Sequence, residues 1–474
     1  MTGRETPAPG TSFLANVNIV FLTYVANAAL AFGVAIVVAR ALGPEGRGVY
    51  ALVLLSASIA QAILSLGMGV AAVYELGKGS APVARVIANT QQVVIFSAAV
   101  SGALVLLAWP LFGDRLLDED VPFWAFAFIV PLFVNYNVLT AVLQGMSRFR
   151  TMNVVIVTQP LVLLFVLIGM EAFGEVDPTA ALVAWSIGTL VAVLLALGLL
   201  RSDLSISELV RIDGPSLRRQ VSFGLKGQLG NLVQLLNYRL DQYIVLLFVS
   251  TAGVGIYAVS VTLSQAVWFG ANAVATVLLP RLTAADPAEA ARTTPLVCRS
   301  TLFVSALSAL GLAAVSPWLV EGLFGSDFKD ALAPLLWLLP GTVALAGSKI
   351  LASYLLSRGQ PLINSGVTVV ALAVTLGADF ALIPPFGLAG AAIASSLAYL
   401  THFALLLAAY GRFSGNSIVD AVVIRRDDVR ALIETARQHL PVSKPWAQSS
   451  PLLPATASAS ALSGTSKAST RGAG

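Results

Sequence analysis

Of the ionisable residues that lie inside long apolar stretches of the sequence, where a charge is costly, five are candidates for function. They are Lys226, Arg239, Asp241, Lys349 and His402. An ionisable side chain at bilayer depth costs at least about 2.5–3.5 kcal/mol on insertion scales, so such residues mark functional sites more often than other buried residues. The chain is 57% hydrophobic and only 11% charged, whereas a soluble domain has about 25% charged residues. The composition therefore predicts an integral membrane protein.

Three of these residues are candidate anion ligands. Arg239 is about 15 Å from the outer end of its predicted helix, near the midplane of a ~30 Å hydrocarbon core, and a guanidinium binds phosphate through bidentate hydrogen bonds. Lys349 is about 13 Å from the inner end of its own helix. Lys226 is close to the cytoplasmic end, where it can snorkel or admit an anionic headgroup. The alternative is a structural ion pair, which for Lys349 would involve Asp241 or Asp379.

The other two residues are candidates for ion coupling. Asp241 follows Arg239 by two residues and so points to another side of the helix. It either binds a coupling H+ or Na+ or pairs with a cation on a neighbouring helix. His402 either relays a proton or only hydrogen-bonds to a neighbouring helix. Asp379 lies near the outer end of its helix, where solvation is easy.

Twelve apolar stretches are long enough to cross a bilayer at about 20 residues each. An even number of crossings places both termini on the same side, and no inter-helix gap can hold a soluble catalytic domain. The predicted spans are about 17–38, 49–73, 89–111, 122–144, 152–173, 178–200, 221–249, 255–279, 296–318, 332–356, 361–383 and 387–410.

The distribution of Lys and Arg predicts the orientation. With both termini inside, the outer loops contain only Arg40, Arg47, Arg115 and Lys329 of the chain's 28 basic residues. Cytoplasmic loops are the ones enriched in Lys and Arg, so both termini are predicted to be cytoplasmic. The net charge of +4 then reflects membrane topology and does not imply a nucleic-acid partner.

The sequence contains an internal repeat. Matching segments enter predicted helices 2 and 8, and further matches at nearly the same separation relate helices 5 and 6 to helices 11 and 12. These matches predict two six-helix halves in the same orientation, with a substrate site between them. The matches are residues 46–51 (Gly-Arg-Gly-Val-Tyr-Ala) with 253–258 (Gly-Val-Gly-Ile-Tyr-Ala), Asn153 with Asn364, and Ala180-Ala181 with Ala391-Ala392.

The remaining segments are predicted to be connectors and tails. Ser205 and Glu208 have capping-box spacing in a linker predicted to lie at the membrane surface. Beyond the last span, Val429, Leu432 and Ile433 are at helical spacing among arginines, which is typical of an amphipathic helix on anionic lipid. The predicted divisions are a cytoplasmic tail 1–16, a first half 17–200, an interfacial linker 201–220, a second half 221–410, an amphipathic cytoplasmic segment 411–440 and a disordered tail 441–474.

Four motifs occur in order along the spans. They are residues 39–52 (Ala-Arg-Ala-Leu-Gly-Pro-Glu-Gly-Arg-Gly-Val-Tyr-Ala-Leu), 144–150 (Gln-Gly-Met-Ser-Arg-Phe-Arg), 323–328 (Leu-Phe-Gly-Ser-Asp-Phe) and 385–392 (Pro-Phe-Gly-Leu-Ala-Gly-Ala-Ala). Their order and spacing resemble those of Wzx-type polysaccharide flippases over residues 12–410. This family belongs to the multidrug/oligosaccharidyl-lipid/polysaccharide exporter superfamily, together with the MATE drug exporters and the lipid II flippases.

The resemblance implies two pseudo-symmetric six-helix lobes that form a V around a central cavity. It also implies an oligosaccharide on undecaprenyl pyrophosphate as substrate, flipped to the outer leaflet of a bacterial cytoplasmic membrane by alternating access. Arg239, Lys349 and Lys226 would then bind the pyrophosphate. We expect no cofactor beyond a coupling H+ or Na+. A monomer is sufficient, and a polysaccharide polymerase or export machinery is a potential partner.

Two alternative functions belong to other classes. A MATE-like exporter of small cations favours a cavity rich in carboxylates, but the predicted helices contain three cations against Asp241. A membrane-embedded glycan polymerase or ligase needs acid–base or metal-binding groups near one membrane face. The only dense outer acidic cluster, residues 114–120, is typical of a solvated loop, and the lone cysteine, Cys298, excludes a cysteine-based metal cluster. An enzyme is therefore not expected.

Overall fold

The computed structural model describes residues 9–112, 125–174, 176–211 and 213–430, with side chains described from residue 26 onward except those of 108–112. Within these ranges the chain is helical and contains no strand. The elements are α1 (Pro9–Leu64), α2 (Met68–Lys78), α3 (Val83–Phe112), α4 (Ala125–Gly145), α5 (Phe149–Phe173), α6 (Pro178–Leu199), α7 (Ile206–Val210), α8 (Gly214–Arg239), α9 (Asp241–Phe248), α10 (Thr251–Ala284), α11 (Pro287–Phe324), a 3₁₀ helix (Ser326–Ala331), α12 (Leu332–Ser357), α13 (Pro361–Ser414) and α14 (Ile418–Val422).

Nine helices of the described residues are long and apolar enough to cross a membrane. Two of them, α1 and α13, are bent and each contains two predicted spans. The chain is thus an all-α integral membrane protein, as its composition predicts. The number of crossings and the V-shaped pair of lobes stay predictions.

The bends of α1 and α13 are at glycines, and both differ from the predicted connections. The chain between predicted spans 1 and 2 is helical except at Gly43, whose φ of 63° and ψ of −175° suit a residue without a Cβ. In α13 the chain stays helical through Pro384 and Pro385 and bends at Gly387. The predicted end of helix 11 at the prolines is therefore wrong by a few residues.

The predicted span 221–249 stays nearly continuous, because α8 and α9 meet at Leu240, which keeps helical backbone angles (φ −69°, ψ −26°) and an amide hydrogen bond to the Leu236 carbonyl. The predicted span 49–73, in contrast, breaks at residues 65–67, where both Leu66 and Gly67 have positive φ. Discontinuous helices of this kind form the binding sites of many transporters, because unwound backbone is tolerated only where it faces protein or a cavity.

The linker between the two halves is shorter than predicted, because α8 already begins at Gly214, where the Asp213 carboxylate accepts a hydrogen bond from the Ser216 amide at 3.1 Å. The predicted capping box does not form, since Ser205 Oγ contacts Ser207 Oγ at 2.9 Å. The Glu208 carboxylate binds Arg85 instead. The linker is thus attached to α3.

The repeated segments contact each other reciprocally. A Cβ at Gly48 would collide with the Thr251 carbonyl, and a Cβ at Gly255 would collide with the Pro44 carbonyl. The repeat relates Gly48 to Gly255 and Pro44 to Thr251, so the two collisions are equivalent. Such reciprocity is the property of segments related by two-fold symmetry, and small residues allow helices to approach this closely in lipid. The structure supports the internal repeat at this contact.

Further contacts join the two halves on the predicted outer side. Arg40 of α1 donates hydrogen bonds to the Gly322 and Leu323 carbonyls at the end of α11, at 2.5 and 2.8 Å. Phe32 packs edge-on against Phe324 with ring centroids 6.0 Å apart. A cation at the C-terminal end of a helix is favourable because the last carbonyls have no partner within the helix.

Other boundaries also differ from the predicted ones. Residues 9–16, predicted as part of a tail, belong to α1, and spans 8 and 9 lengthen into α10 and α11. In the segment 411–440, α14 is a short helix, but most of the predicted amphipathic helix lies outside the described residues. The tail 441–474 and the acidic segment 114–120 also lie outside them.

Candidate functional site

Asp241 is the first residue of α9 and is 3% exposed. One carboxylate oxygen accepts hydrogen bonds from the Tyr257 hydroxyl at 2.7 Å and from Ser395 Oγ at 3.1 Å. The other accepts from the Gln242 amide at 2.9 Å. These donors come from α9, α10 and α13, none of them is a lysine or arginine, and Asp241 forms no ion pair with the described residues. The predicted alternative of an ion pair is therefore wrong.

Asp379 of α13 is also fully buried, at 0% exposure. Neither of its carboxylate oxygens has a hydrogen-bond partner among the described residues, and it is close enough to Asp241 to interact with it electrostatically. The expectation that Asp379 is easily solvated at the outer end of its helix is wrong. A buried carboxylate without donors is costly, so this pair of aspartates favours the uptake of a proton or a cation.

Lys349 of α12 is half-buried and is held by aromatic side chains. Its Nζ donates a hydrogen bond to the Tyr238 hydroxyl at 2.8 Å and lies 5.2 Å from the ring centroids of both Tyr238 and Trp268. The predicted alternative of a pair with Asp241 or Asp379 is wrong. Because neutral rings and a hydroxyl do not cancel a charge, Lys349 keeps its positive charge for another ligand.

Arg239 and Lys226 stay candidate ligands on α8. Arg239, at the end of α8, is half-buried and makes no hydrogen bond or ion pair with the described residues, Asp241 included. Lys226 is exposed, which suits a lysine that snorkels towards the membrane surface.

His402 is buried in the second arm of α13, at 7% exposure. Its Nε2 is 3.5 Å from Thr368 Oγ1 in the first arm, and Nδ1 has no partner among the described residues. This contact is the structural alternative to a proton relay, and the relay stays a prediction.

Sequence reasoning missed the side chains that surround these charges. Tyr257 was visible only as part of the repeated segment, and Ser395 only as one of many small residues in its helix. Tyr238 and Trp268 gave no signal, because an aromatic residue in an apolar span is ordinary. Among the described residues, no group of His, Cys, Asp and Glu could hold a metal in the manner of a metalloprotein site.

The long apolar helices, two of them bent, with buried carboxylates and half-buried cations inside them, define a class, that of polytopic membrane proteins. The family model described as polysaccharide biosynthesis protein matches residues 13–285, which is more than half of the chain. The chain belongs to this family, and the resemblance drawn from the motifs is confirmed. No curated protein sequence matches the chain.

Solved structures with the same fold are transporters and a flippase. An inward-facing multidrug-resistance MATE transporter aligns with a TM-score of 0.70 and 14% identity over 82% of this chain and 96% of its own. The lipid II flippase MurJ, in an inward closed conformation, aligns with a TM-score of 0.65 and 12% identity over 91% of this chain and 94% of its own. A transporter from Pyrococcus furiosus, described by a binding pocket of reverse polarity, has a TM-score of 0.56 and 13% identity over 87% of this chain and 100% of its own.

The family connects the chain with polysaccharide biosynthesis, and the fold is one that it shares with multi-pass membrane transporters and a lipid II flippase.

Proposed function

We propose that the protein flips an oligosaccharide linked to undecaprenyl pyrophosphate from the cytoplasmic to the outer leaflet of a bacterial cytoplasmic membrane. Its family supports a role in the synthesis of a cell-surface polysaccharide. The fold it shares with a lipid II flippase supports a lipid-linked substrate. A monomer is sufficient for this activity, and a polymerase or export machinery would take the product.

The observation that supports an anionic substrate is the pair of half-buried cations Arg239 and Lys349. Neither forms a hydrogen bond or ion pair with a carboxylate of the described residues, although Arg239 is near enough to Asp241 for an electrostatic interaction. Both side chains are therefore available to contact a ligand. Two cations suit the two phosphates of a pyrophosphate, which accept charge-assisted hydrogen bonds. Lys226, near the predicted cytoplasmic end of α8, would meet the headgroup as it arrives.

The same geometry disfavours a MATE-like exporter of small cations. The carboxylate of Asp241 is occupied by three hydrogen bonds, and that of Asp379 is fully buried. A bulky cationic substrate would find neither of them accessible. The partly accessible charged side chains, Arg239 and Lys349, are positive.

Alternating access would use the contacts between the two halves. The reciprocal contact of Gly48 and Gly255, with Arg40 on the end of α11, closes the predicted outer side. With both termini cytoplasmic, the substrate would enter from the inside, and this contact would separate when the halves rock outward.

Asp241 is the proposed coupling residue, with Asp379 as its neighbour. Binding of H+ or Na+ would neutralise part of the buried negative charge. Because Asp241 also holds α10 and α13 through Tyr257 and Ser395, its occupancy would alter the packing of these helices. His402 is a secondary candidate, and no other cofactor is needed.

A flipping assay with Arg239→Ala tests the proposal. The protein is reconstituted in liposomes with a fluorescent undecaprenyl-pyrophosphate oligosaccharide, and the outer leaflet is quenched under an imposed ion gradient. We expect the wild type to expose more than the roughly one-half of the label that is accessible in empty liposomes. Loss of one charge-assisted phosphate contact, about 1.5–3 kcal/mol, should slow flipping at least about tenfold.

Two further variants control this assay. Arg239→Lys keeps the charge and should retain part of the activity. Arg281→Ala removes an exposed arginine at the end of α10 and should have no effect. Unchanged flipping by folded Arg239→Ala protein would contradict the role of Arg239, and no flipping by the wild type would contradict the proposed function.

A further inference from the structure

Two aromatic side chains from different helices contact the Lys349 ammonium, and a third packs against one of them. Tyr238 is on α8, Trp268 on α10 and Tyr399 on α13. The Tyr238 ring is 6.2 Å from that of Trp268 at 31°, and 6.0 Å from that of Tyr399 at 79°. The arrangement therefore brings four helices together at one cation.

The cluster is partly accessible on one side. Tyr399 is buried, whereas Tyr238, Trp268 and Lys349 are all half-buried. Lysine is costly against acyl chains, so the accessible side of the cluster faces the interior of the protein. A ligand that reaches the ammonium would also touch the two rings.

The chemistry of the proposed substrate places a sugar at this position. In a pyrophosphate-linked oligosaccharide the first sugar is bonded directly to the second phosphate. If Lys349 binds a phosphate, the first sugar lies within one bonded unit of the ammonium. A pyranose has faces of C–H groups and edges of hydroxyls. Tyr and Trp match both, since each has an apolar ring and one polar group.

We propose that Trp268 and Tyr238 form a binding surface for the first sugar of the lipid-linked oligosaccharide, next to the phosphate held by Lys349. Trp268 would cover a C–H face of the pyranose, and the Tyr238 hydroxyl, already bonded to Lys349, would accept a hydrogen bond from the sugar's edge. This inference rests on the proposed function. It assigns to the second half of the protein the recognition of a sugar in addition to a charge.

Equilibrium binding with two probes separates sugar recognition from phosphate recognition. The full chain in nanodiscs is titrated with fluorescent undecaprenyl pyrophosphate, and with the same lipid bearing one hexose. Trp268→Ala should weaken binding of the hexose-bearing probe about five- to thirtyfold, the range expected for loss of an aromatic contact and its buried area. Binding of the probe without sugar should change less than about twofold.

Three control variants make the result specific. Trp268→Phe keeps an aromatic face and should retain most of the preference for the hexose-bearing probe. Trp318→Ala removes a tryptophan that is 75% exposed on α11 and should change neither affinity. Lys349→Ala should weaken both probes alike.

The outcomes distinguish this inference from the function on which it rests. Equal weakening of both probes by Trp268→Ala would show that the ring only supports Lys349, and would overturn the inference while leaving the flippase intact. No effect of Trp268→Ala on either probe would overturn it as well. If the wild type binds neither probe, the proposed function fails together with the inference.

Discussion

The two repeated halves differ most at positions that the repeat makes equivalent. The separation of the matched segments relates Tyr257 to Tyr50 and Asp241 to Val34, and the later matches relate Ser395 to Ala184. In the second half, three polar side chains form one hydrogen-bonded cluster. In the first half, Val34 and Ala184 are buried among apolar residues.

The other ionisable residues of the second half also correspond to apolar residues in the first half. The separation that relates Asp241 to Val34 relates Arg239 to Phe32, which packs against Phe324. The later separation relates His402 to Val191 and Asp379 to Ile168. Each of these ionisable residues of the second half thus has an apolar equivalent in the first half, whose own buried charged residues, Arg47 and Glu75, lie at other positions. The comparison indicates that the candidate ligand Arg239 and the buried Asp241 have no counterpart in the first half.

The largest expected effect is that of Asp241→Asn on coupling. The amide keeps the shape of the side chain but removes the negative charge, so an imposed H+ or Na+ gradient should no longer accelerate flipping. We expect a loss of most of the gradient-dependent rate, measured in the liposome assay with each ion in turn. Val34→Thr, a near-isosteric change at the equivalent position, should leave that rate intact. Equal losses in both variants would contradict the inferred functional difference between the two halves.

A second test concerns the one place where the halves are alike. Gly48→Ala and Gly255→Ala each put a Cβ against a backbone carbonyl of the other half, and overpacking of this kind costs about 1–3 kcal/mol. Both variants should therefore lower the thermal unfolding midpoint by similar amounts. Gly102→Ala meets open space within α3 and should be neutral or stabilise by up to about 1 kcal/mol. Clearly unequal effects at Gly48 and Gly255 would show that this contact is not two-fold.

The smallest expected effect concerns the linker that connects the halves. A hydrogen bond from the Arg85 guanidinium lowers the pKa of the Glu208 carboxyl below its ordinary value. Because the folded-state pKa is lowered, this bond stabilises the fold above the ordinary glutamate pKa of about 4.3 and is lost as the pH falls through the lowered value. Exposed ion pairs contribute little, so the effect is small.

Thermal midpoints measured between about pH 3 and pH 7 check this prediction. The wild type should lose more stability towards acid than Glu208→Gln, whose side chain does not titrate. Parallel curves for the two proteins would mean that the linker is not held by this bond. Arg148→Ala, which breaks a separate ion pair with Asp203 at 2.6 Å, is a control for general loss of surface charge.

The hydrophobic sequence was sufficient to predict the class of the protein. Crossing a bilayer demands about 20 apolar residues in a row, a property of each segment alone. The same local property allowed Arg239, Asp241 and Lys349 to be identified from the sequence, because a charge within such an apolar segment is conspicuous. The repeat was also visible, and the contact of Gly48 with the second half now gives it a structural meaning.

The sequence did not determine which side chains meet. Asp241 bonds to Tyr257 on the next helix and to Ser395, 154 residues away, and Lys349 bonds to Tyr238, 111 residues away. Such contacts depend on how far each helix is rotated and where it bends, which is set by packing. The break at Leu66 and Gly67 interrupts a segment whose hydropathy is continuous. Hydropathy therefore determined where the chain enters the membrane, and only the tertiary structure decided which charges stay free to bind a ligand.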